Sequence, residues 1–440
     1  MPSKTLYICY FGLREPLVQT QVIPYLKQLI GRRDVGTRER GDLAVQVALL
    51  TFEPHAVGEV EEKRLRAELG ENGIDWHWLR YHKRPSAIAT AYDIFRGTLF
   101  VRRFISTDKI DILHGRVHIP TLMGALARRF SRRKPKLLFD IRGFFPEEYT
   151  DAGIWPAGGW LYRSAKRVEK WLLKEADGFV VLTEKAREIL FPDAAGSTET
   201  GFLAANPQSA IRNPQSSSRH VEVIPCCVDL KKFEGLNKTG RAAMRRLLNA
   251  AGSKRRILVY VGSFGGWYMS DELFDFYAAA RRADPNVYAL ILTQRQPELA
   301  VERIRAVGFE TPDYLVTSAT PDEIPKYLNA SDAAISFIKK CYSKQASSPT
   351  KNAEYLAAGL PIIANSGVGD VDSLIEGDGV GVLVDKFDDE SYLAALDALT
   401  AFGDIGDHCR EMAKLRFDLE NVGGVRYRRL YARLLTDGSN

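Results

Sequence analysis

Residues 347–364 read SSPTKNAEYLAAGLPIIA. Ser348 and Pro349 predict a helix start, because serine caps well and proline suits a first-turn position whose N–H would be unpaired anyway. Gly359 predicts the helix end, and Pro361 opens a following strand. Ala353, Leu356, Ala357 and Leu360 recur at i, i+3, i+4 and i+7, a face that should pack on a sheet. Lys351 and Glu354 share the opposite flank. The first turn then offers the N–H groups of Thr350 and Lys351, a hydroxyl and an ammonium, an anion site suited to a diphosphate. Glu354, one turn on, is placed to accept two hydroxyls from a pentose such as ribose. The competing reading is a capped amphipathic helix carrying an ordinary surface Lys–Glu pair.

Outward from this stretch, strand-like and helix-like segments alternate. In the first half, strands are expected at 5–12, 43–52, 110–116, 136–143 and 178–183, and helices from 19, from Pro120 and around 160–175. In the second, strands are expected at 255–264, 287–293, 332–338, Pro361–Asn365 and 379–384, with a closing helix from Asn421. Such alternation implies parallel strands joined by crossover helices. The expectation is an α/β protein with two doubly wound halves joined near 225, facing each other across a cleft. Ligands in such sheets bind outside the carboxyl ends of the strands. The Ser/Pro/Asn/Gly-rich stretch 192–219 is expected to be a mobile surface insertion. No GxGxxG follows a strand and no GxxxxGK[ST] occurs, which disfavours dinucleotide hydride transfer and P-loop chemistry.

Composition bounds the class. The chain has 440 residues, 45% hydrophobic and 26% charged, with no run of eighteen apolar residues and no signal-peptide pattern at its start. Its five cysteines are few, odd in number and scattered, which fits a reducing cytoplasm; no Cys/His spacing resembles a zinc site. Residues 1–222 carry 34 Lys and Arg against 26 Asp and Glu, whereas the remainder carries 27 against 29. The basic first half suits an anionic substrate or membrane surface; no nucleic-acid module appears, so no nucleic-acid partner is expected.

The stretch 347–364 resembles the nucleotide-binding signature of retaining GT-B glycosyltransferases, the glycosyltransferase family 4 group. YFGLREPLVQTQVIPYLKQL is similar to the family's first strand, glycine loop and helix, VEVIPCCVDLKKF to its interdomain segment, and ILVYVGSF to the strand opening its second domain. The resemblance covers most of the chain apart from 192–219. It implies two Rossmann-like domains, 1–222 for the acceptor and 223–419 for the donor, with the helix in 420–440 packing back on the first. It implies a UDP- or GDP-sugar donor, front-face transfer without a covalent nucleophile, metal independence and no cofactor. Glu354 matches the family's ribose-binding glutamate. The chain departs from the family at Ala346, where a second glutamate is common, and at Gly262-Ser263-Phe264-Gly265-Gly266-Trp267, where Arg and Lys are common. Lys351 or Arg295 must then meet the phosphate charge, with Gly262, Ser263, Ser348 and Thr350 completing the donor set.

In the first half, Gly12 would let backbone approach the donor phosphates, or simply make a tight turn. His114, Arg116 and His118 cluster at a strand's carboxyl end, and His118 matches an acceptor-site histidine of some family members. Asp140 and Arg142 either serve the acceptor and leaving phosphate or form a buried ion pair. Glu147 and Glu148 either act as a base or form a solvated turn. Residues 83–106 mix bulky apolar side chains with basic ones and read as a partly buried helix or as a bilayer contact. The run 128–136 reads as solvated surface opposite the cleft. Asp370-Val-Asp372 has the DxD form of a metal–nucleotide site. The acceptor, a glycan or lipid-linked molecule, is not specified. An epimerase of the same fold, or a non-catalytic sugar- or lipid-binding protein, are the rival readings.

Overall fold

The structure is a computed structural model describing residues 2–30, 45–84, 86–192, 220–250 and 255–436. The expected insertion at 192–219 lies, apart from Pro192, outside the described residues. The chain divides into two compact units. One comprises residues up to Pro225 together with those from Leu419 onward; the other is Cys226–Asp418.

The first unit holds seven strands: β1 (Ser3–Ile8), β2 (Val45–Glu53), β3 (Ile74–Arg80), β4 (Ile112–Arg116), β5 (Lys136–Asp140), β6 (Gly178–Val181) and β7 (His220–Val223). All pair in parallel, in the order β3-β2-β1-β4-β5-β6-β7. The second unit holds β8 (Arg256–Val261), β9 (Val287–Leu292), β10 (Tyr314–Thr317), β11 (Ala333–Ser336), β12 (Ile362–Asn365) and β13 (Gly381–Val384). Their order, β10-β9-β8-β11-β12-β13, is again wholly parallel. Both are doubly wound Rossmann-like sheets, as the alternation implies. Strand order reverses between β1 and β4 in one and between β8 and β11 in the other, and ligand crevices open beside such points.

Covered on both faces, the central strands place apolar residues on both sides of the sheet. Period two divides them: Ile257, Val259, Tyr288 and Leu290 join one core, and Leu258, Tyr260, Ala289 and Ile291 join another. Strands β3 and β10, and the helix Glu59–Glu71, have no counterpart among the expected elements. Both strands lie at sheet edges, β10 is only half-buried throughout, and the helix buries only Leu69. The segment read as an interdomain bridge begins as edge strand β7.

After a π-helical turn at Leu419–Gly424, the helix Val425–Thr436 buries Tyr427, Leu430, Tyr431 and Leu434 in the first unit. Arg429 Nε and Arg433 Nη1 donate to Glu222 of β7 at 2.9 and 3.0 Å. Gly178 on β6 leaves room for Leu434, which a Cβ there would meet at 3.0 Å.

Candidate functional site

In the first unit a cavity of about 1110 Å³ opens at the carboxyl ends of β1, β2, β3 and β4. It brings together Gly12, Arg116, His118 and Arg142 from separate parts of the chain, and adds Arg80, His82, Lys83 and Arg84. Among the described residues no ion pair holds Arg80, Lys83 or Arg84, so the wall is strongly basic.

Arg116 ends β4, and His118 opens the helix His118–Arg129. Val117 between them has φ +61°, an outlier for a β-branched side chain, and its N–H donates to the Asp140 carbonyl at 2.9 Å. His118 is buried, not on the surface: its Nε2 lies 3.0 Å from Glu169 Oε2. Its other ring nitrogen, Nδ1, has no hydrogen-bond partner among the described residues. Lys166 bridges Glu169 and Glu147. Glu147 is therefore not part of a solvated turn. It is buried in the helix Phe145–Asp151, takes the Lys166 ammonium at 3.0 Å, and burial raises its pKa, with Lys166 opposing.

Asp140 lies behind the cavity, fully buried, and does not line it. Its carboxylate accepts from Arg142 Nε at 2.9 Å and Tyr427 hydroxyl at 3.1 Å, with His114 Nε2 at 3.5 Å and Arg116 Nη1 at 3.7 Å. Burial works to raise its pKa, but Arg142, His114 and Arg116 outweigh it and hold the carboxyl well below the usual range. This pair is the buried ion pair of the sequence alternatives. It also reaches the cavity, because Arg142 lines it and Arg142 Nη1 has no partner among the described residues.

At Gly12 a Cβ would sit 2.9 Å from Glu53 Oε2. The same carboxylate accepts from Leu13 N–H at 2.8 Å and Thr51 hydroxyl at 2.6 Å, so close packing on Glu53 already requires glycine. A pair that sequence reasoning missed stands nearby: His82 Nδ1 lies 2.6 Å from Asp93 Oδ1, and Tyr10 hydroxyl donates to Asp93 Oδ2 at 2.7 Å. The available signal was Asp93 itself, a carboxylate on the face of a helix otherwise set by Ala89, Gly97 and Val101.

In the second unit the helix of the opening stretch spans Thr350–Ala357. Ser348 is not its cap. The cap position is Pro349, and Ser348 Oγ instead accepts the Cys226 N–H at 3.1 Å. The expected Lys–Glu flank does not form either. Lys351 is buried, its ammonium 4.5 Å from the Tyr260 ring centre and 4.7 Å from that of Tyr268, with no hydrogen-bond partner among the described residues. Burial alone lowers its pKa to about 7. Asn352, also buried, leaves both its amide oxygen and nitrogen unsatisfied. Glu354 is half-buried, and burial raises its pKa to about 7, Lys232 pulling the other way. Thr350 is half-buried at the helix tip.

Gly262, just past β8 at the switch point, has φ +153°, and a Cβ there would meet the Tyr260 hydroxyl at 2.9 Å. That hydroxyl donates to the Ser263 carbonyl at 2.6 Å, so Lys351, Tyr260, Gly262 and Ser263 are linked through one ring. Arg295 stays exposed, its N–H turned onto Thr293 Oγ1 at 3.3 Å. A concavity of about 460 Å³ beside it is lined by Phe264, Tyr268, Gln296 and Lys339, but not by Arg295, Lys351 or Glu354. Ala346 is buried. Of the DxD pair, Asp372 accepts the Gly367 N–H at 2.8 Å and so braces its own loop. The basic run 128–136 precedes β5, at the strand end away from the cavity; Arg128 pairs with Asp177 and Arg133 with Asp111.

Residues 37–194 match the model of the glycosyl transferase 4-like domain, and residues 255–401 match that of the glycosyl transferases group 1. Among solved structures, a glycosyltransferase from Rickettsia africae superposes with a TM-score of 0.68 at 15% identity, covering 99% of each chain. Anabaena Alr3699/HepE, in complex with UDP and glucose, gives 0.62 at 15% identity over 99% of this chain and 100% of that one. A Listeria monocytogenes protein assigned as a UDP-N-acetylglucosamine 2-epimerase gives 0.56 at 11% identity over 100% and 97%. No curated protein matches the chain. The fold is thus that of GT-B glycosyltransferases, with a glycosyl transferase 4-like domain ahead of a group 1 domain, and these domains indicate a transferase.

Proposed function

We propose that this protein moves a sugar from a UDP- or GDP-sugar to an acceptor hydroxyl with retention of anomeric configuration, without a metal, in the synthesis of a glycan, glycolipid or cell-surface polysaccharide. The observation that carries the reading is the pair of orphaned polar side chains, Lys351 and Asn352, in the first turn of the helix beyond β11. An unpaired buried ammonium costs free energy, and a diphosphate at the helix tip would supply the missing acceptor oxygens. Glu354 would take the ribose hydroxyls one turn on, and the helix tip with Lys351 would stabilise charge growing on the leaving diphosphate. Anabaena HepE, which shares the fold, forms a complex with UDP and glucose, the donor class proposed here. The basic cavity of the first unit suits an anionic acceptor, with Arg142 Nη1 and Arg116 as its partners. Free thiols at all five cysteines suit a cytoplasmic setting.

A thermal-shift screen of nucleoside diphosphates and sugar nucleotides tests this. UDP or GDP should raise the melting temperature, EDTA should leave that rise intact, and Glu354→Ala should abolish it. No shift with any nucleotide would sink the reading in favour of a non-catalytic protein. One observation favours a second enzyme reading: two histidine–carboxylate pairs, His82–Asp93 and His118–Glu169, line or border the cavity, and an epimerase needs such acid–base groups. An epimerase would convert its donor with no acceptor present, whereas a transferase would not. Retention is read from the anomeric proton of the product by NMR.

A further inference from the structure

The helix Ser86–Asp108 turns two apolar faces outward from its axis. One is explained by the fold: Ala89, Gly97, Val101 and Ile105 are buried in the first unit, together with Asp93. The other is not. Ile88 is 70% exposed, Tyr92 46%, Phe95 61% and Leu99 47%, and their spacing of four, three and four residues aligns them in one ridge opposite Gly97. The ridge runs about 16 Å along the axis at 1.5 Å per residue. A solvated helix would carry charge there, so a continuous apolar ridge marks a surface that meets something apolar.

What flanks the ridge identifies its partner. Arg96, Arg102 and Arg103 are exposed at its borders, and Lys83 and Arg84 are exposed just before the helix. None of the five forms an ion pair among the described residues. From Ser86 to Thr107 the only carboxylate is Asp93, which is buried and held by His82 and Tyr10. The outward face therefore combines bulky apolar groups with unneutralised cations and no anion. A protein partner of ordinary surface composition would match neither the unbroken sign of charge nor the graded border between ridge and arginines. An anionic bilayer matches both: acyl chains take the ridge, and lipid phosphates take the guanidinium groups.

We propose that the outward face of this helix docks the first unit on an anionic lipid bilayer, with Ile88, Tyr92, Phe95 and Leu99 entering the interface and the flanking arginines binding headgroup phosphates. This inference does not depend on the transfer reading. The helix also opens at the rim of the basic cavity, where Lys83, Arg84 and Ser86 are lining residues. Docking would bring that cavity to the membrane surface, within reach of molecules anchored there.

Flotation of the full chain with phosphatidylcholine vesicles, with and without phosphatidylglycerol, tests the inference. The protein should float with the mixed vesicles, stay in solution with phosphatidylcholine alone, and be released progressively by salt. Joint replacement Phe95→Asp and Leu99→Asp should cut the bound fraction on the order of tenfold. Replacing Arg96, Arg102 and Arg103 by Gln should cut it several-fold and remove the salt dependence. Melting temperatures should not move, because none of these side chains belongs to the core; if the aspartate variant does melt early, the glutamine variant and the salt series decide. Failure to float with mixed vesicles, or flotation unaffected by both variants, overturns the proposal. So does a wild-type dimer in light scattering that the aspartate variant splits, since a second copy would then cover the ridge.

Discussion

The two units share a sheet order but differ in how they compensate one buried charge. In the first, Asp140 is buried together with Arg142, Arg116, His114 and Tyr427, and its charge is offset by guanidinium groups at 2.9 and 3.7 Å, although Asp140 Oδ1 and Arg142 Nη1 lack a hydrogen-bond partner among the described residues. In the second, the Lys351 and Asn352 side chains are buried with no hydrogen-bond partner and no ion pair among the described residues, the ammonium resting only on the Tyr260 and Tyr268 rings. A charge compensated by opposite charge holds tertiary structure, here clamping the C-terminal helix to β5, and is costly to break. An orphaned group costs stability as it stands, and the ligand proposed above would account for its retention. On the proposed function, the difference separates a residue that builds the molecule from residues that would meet a substrate.

The comparison can be broken experimentally, and the largest effect should come from the ion-paired side. Asp140→Ala leaves two guanidinium groups buried beside each other, and should destabilise the first unit by about 3–5 kcal/mol in denaturant unfolding. If it costs nothing, the network is not structural. Lys351→Met should act in the opposite sense on the second unit. Removing an orphaned ammonium should stabilise it by about 1–3 kcal/mol while weakening UDP or GDP binding on the order of tenfold to a hundredfold by calorimetry. A loss of stability with no loss of affinity would make Lys351 a packing residue.

The pH dependence of binding sharpens the point. Burial places both Lys351 and Glu354 near pH 7 in the free protein. A diphosphate favours the ammonium, so binding takes up a proton above pH 7 and should weaken as pH rises. Ribose hydroxyls favour the carboxylate, so binding releases a proton below pH 7 and should weaken as pH falls. Nucleotide affinity should therefore peak near neutrality, each limb changing by at most about tenfold per pH unit. Lys351→Met should flatten the alkaline limb and Glu354→Gln the acid one. The smallest effect is expected at Ser348→Ala, which removes the hydrogen bond to Cys226 N–H and should cost about 1 kcal/mol of stability with nucleotide affinity unchanged.

Much of the fold was legible because its signals are local. Apolar runs marked the central strands, and the amphipathic stretch 160–175 coincides with the helix Trp160–Glu175. The edges were not legible. IDWHWLR and YLVT carry too few buried side chains to stand out, since an edge strand is shielded on fewer sides. The stretch 348–354 was readable as a helix start, but serine usually caps, and nothing local announces the Cys226 N–H that claims the Ser348 hydroxyl.

The amino-acid sequence by itself determined the parallel α/β class, the two halves and the helix that carries Thr350, Lys351 and Glu354, because periodicity and turn residues act over a few positions. Only the tertiary structure decided that Lys351 is caged by Tyr260 and Tyr268, that Asp140 is a neutralised strut instead of an open acid, and that His82 is paired with Asp93. Protonation and partnership depend on burial and on groups brought from distant segments, and a linear pattern carries no measure of either.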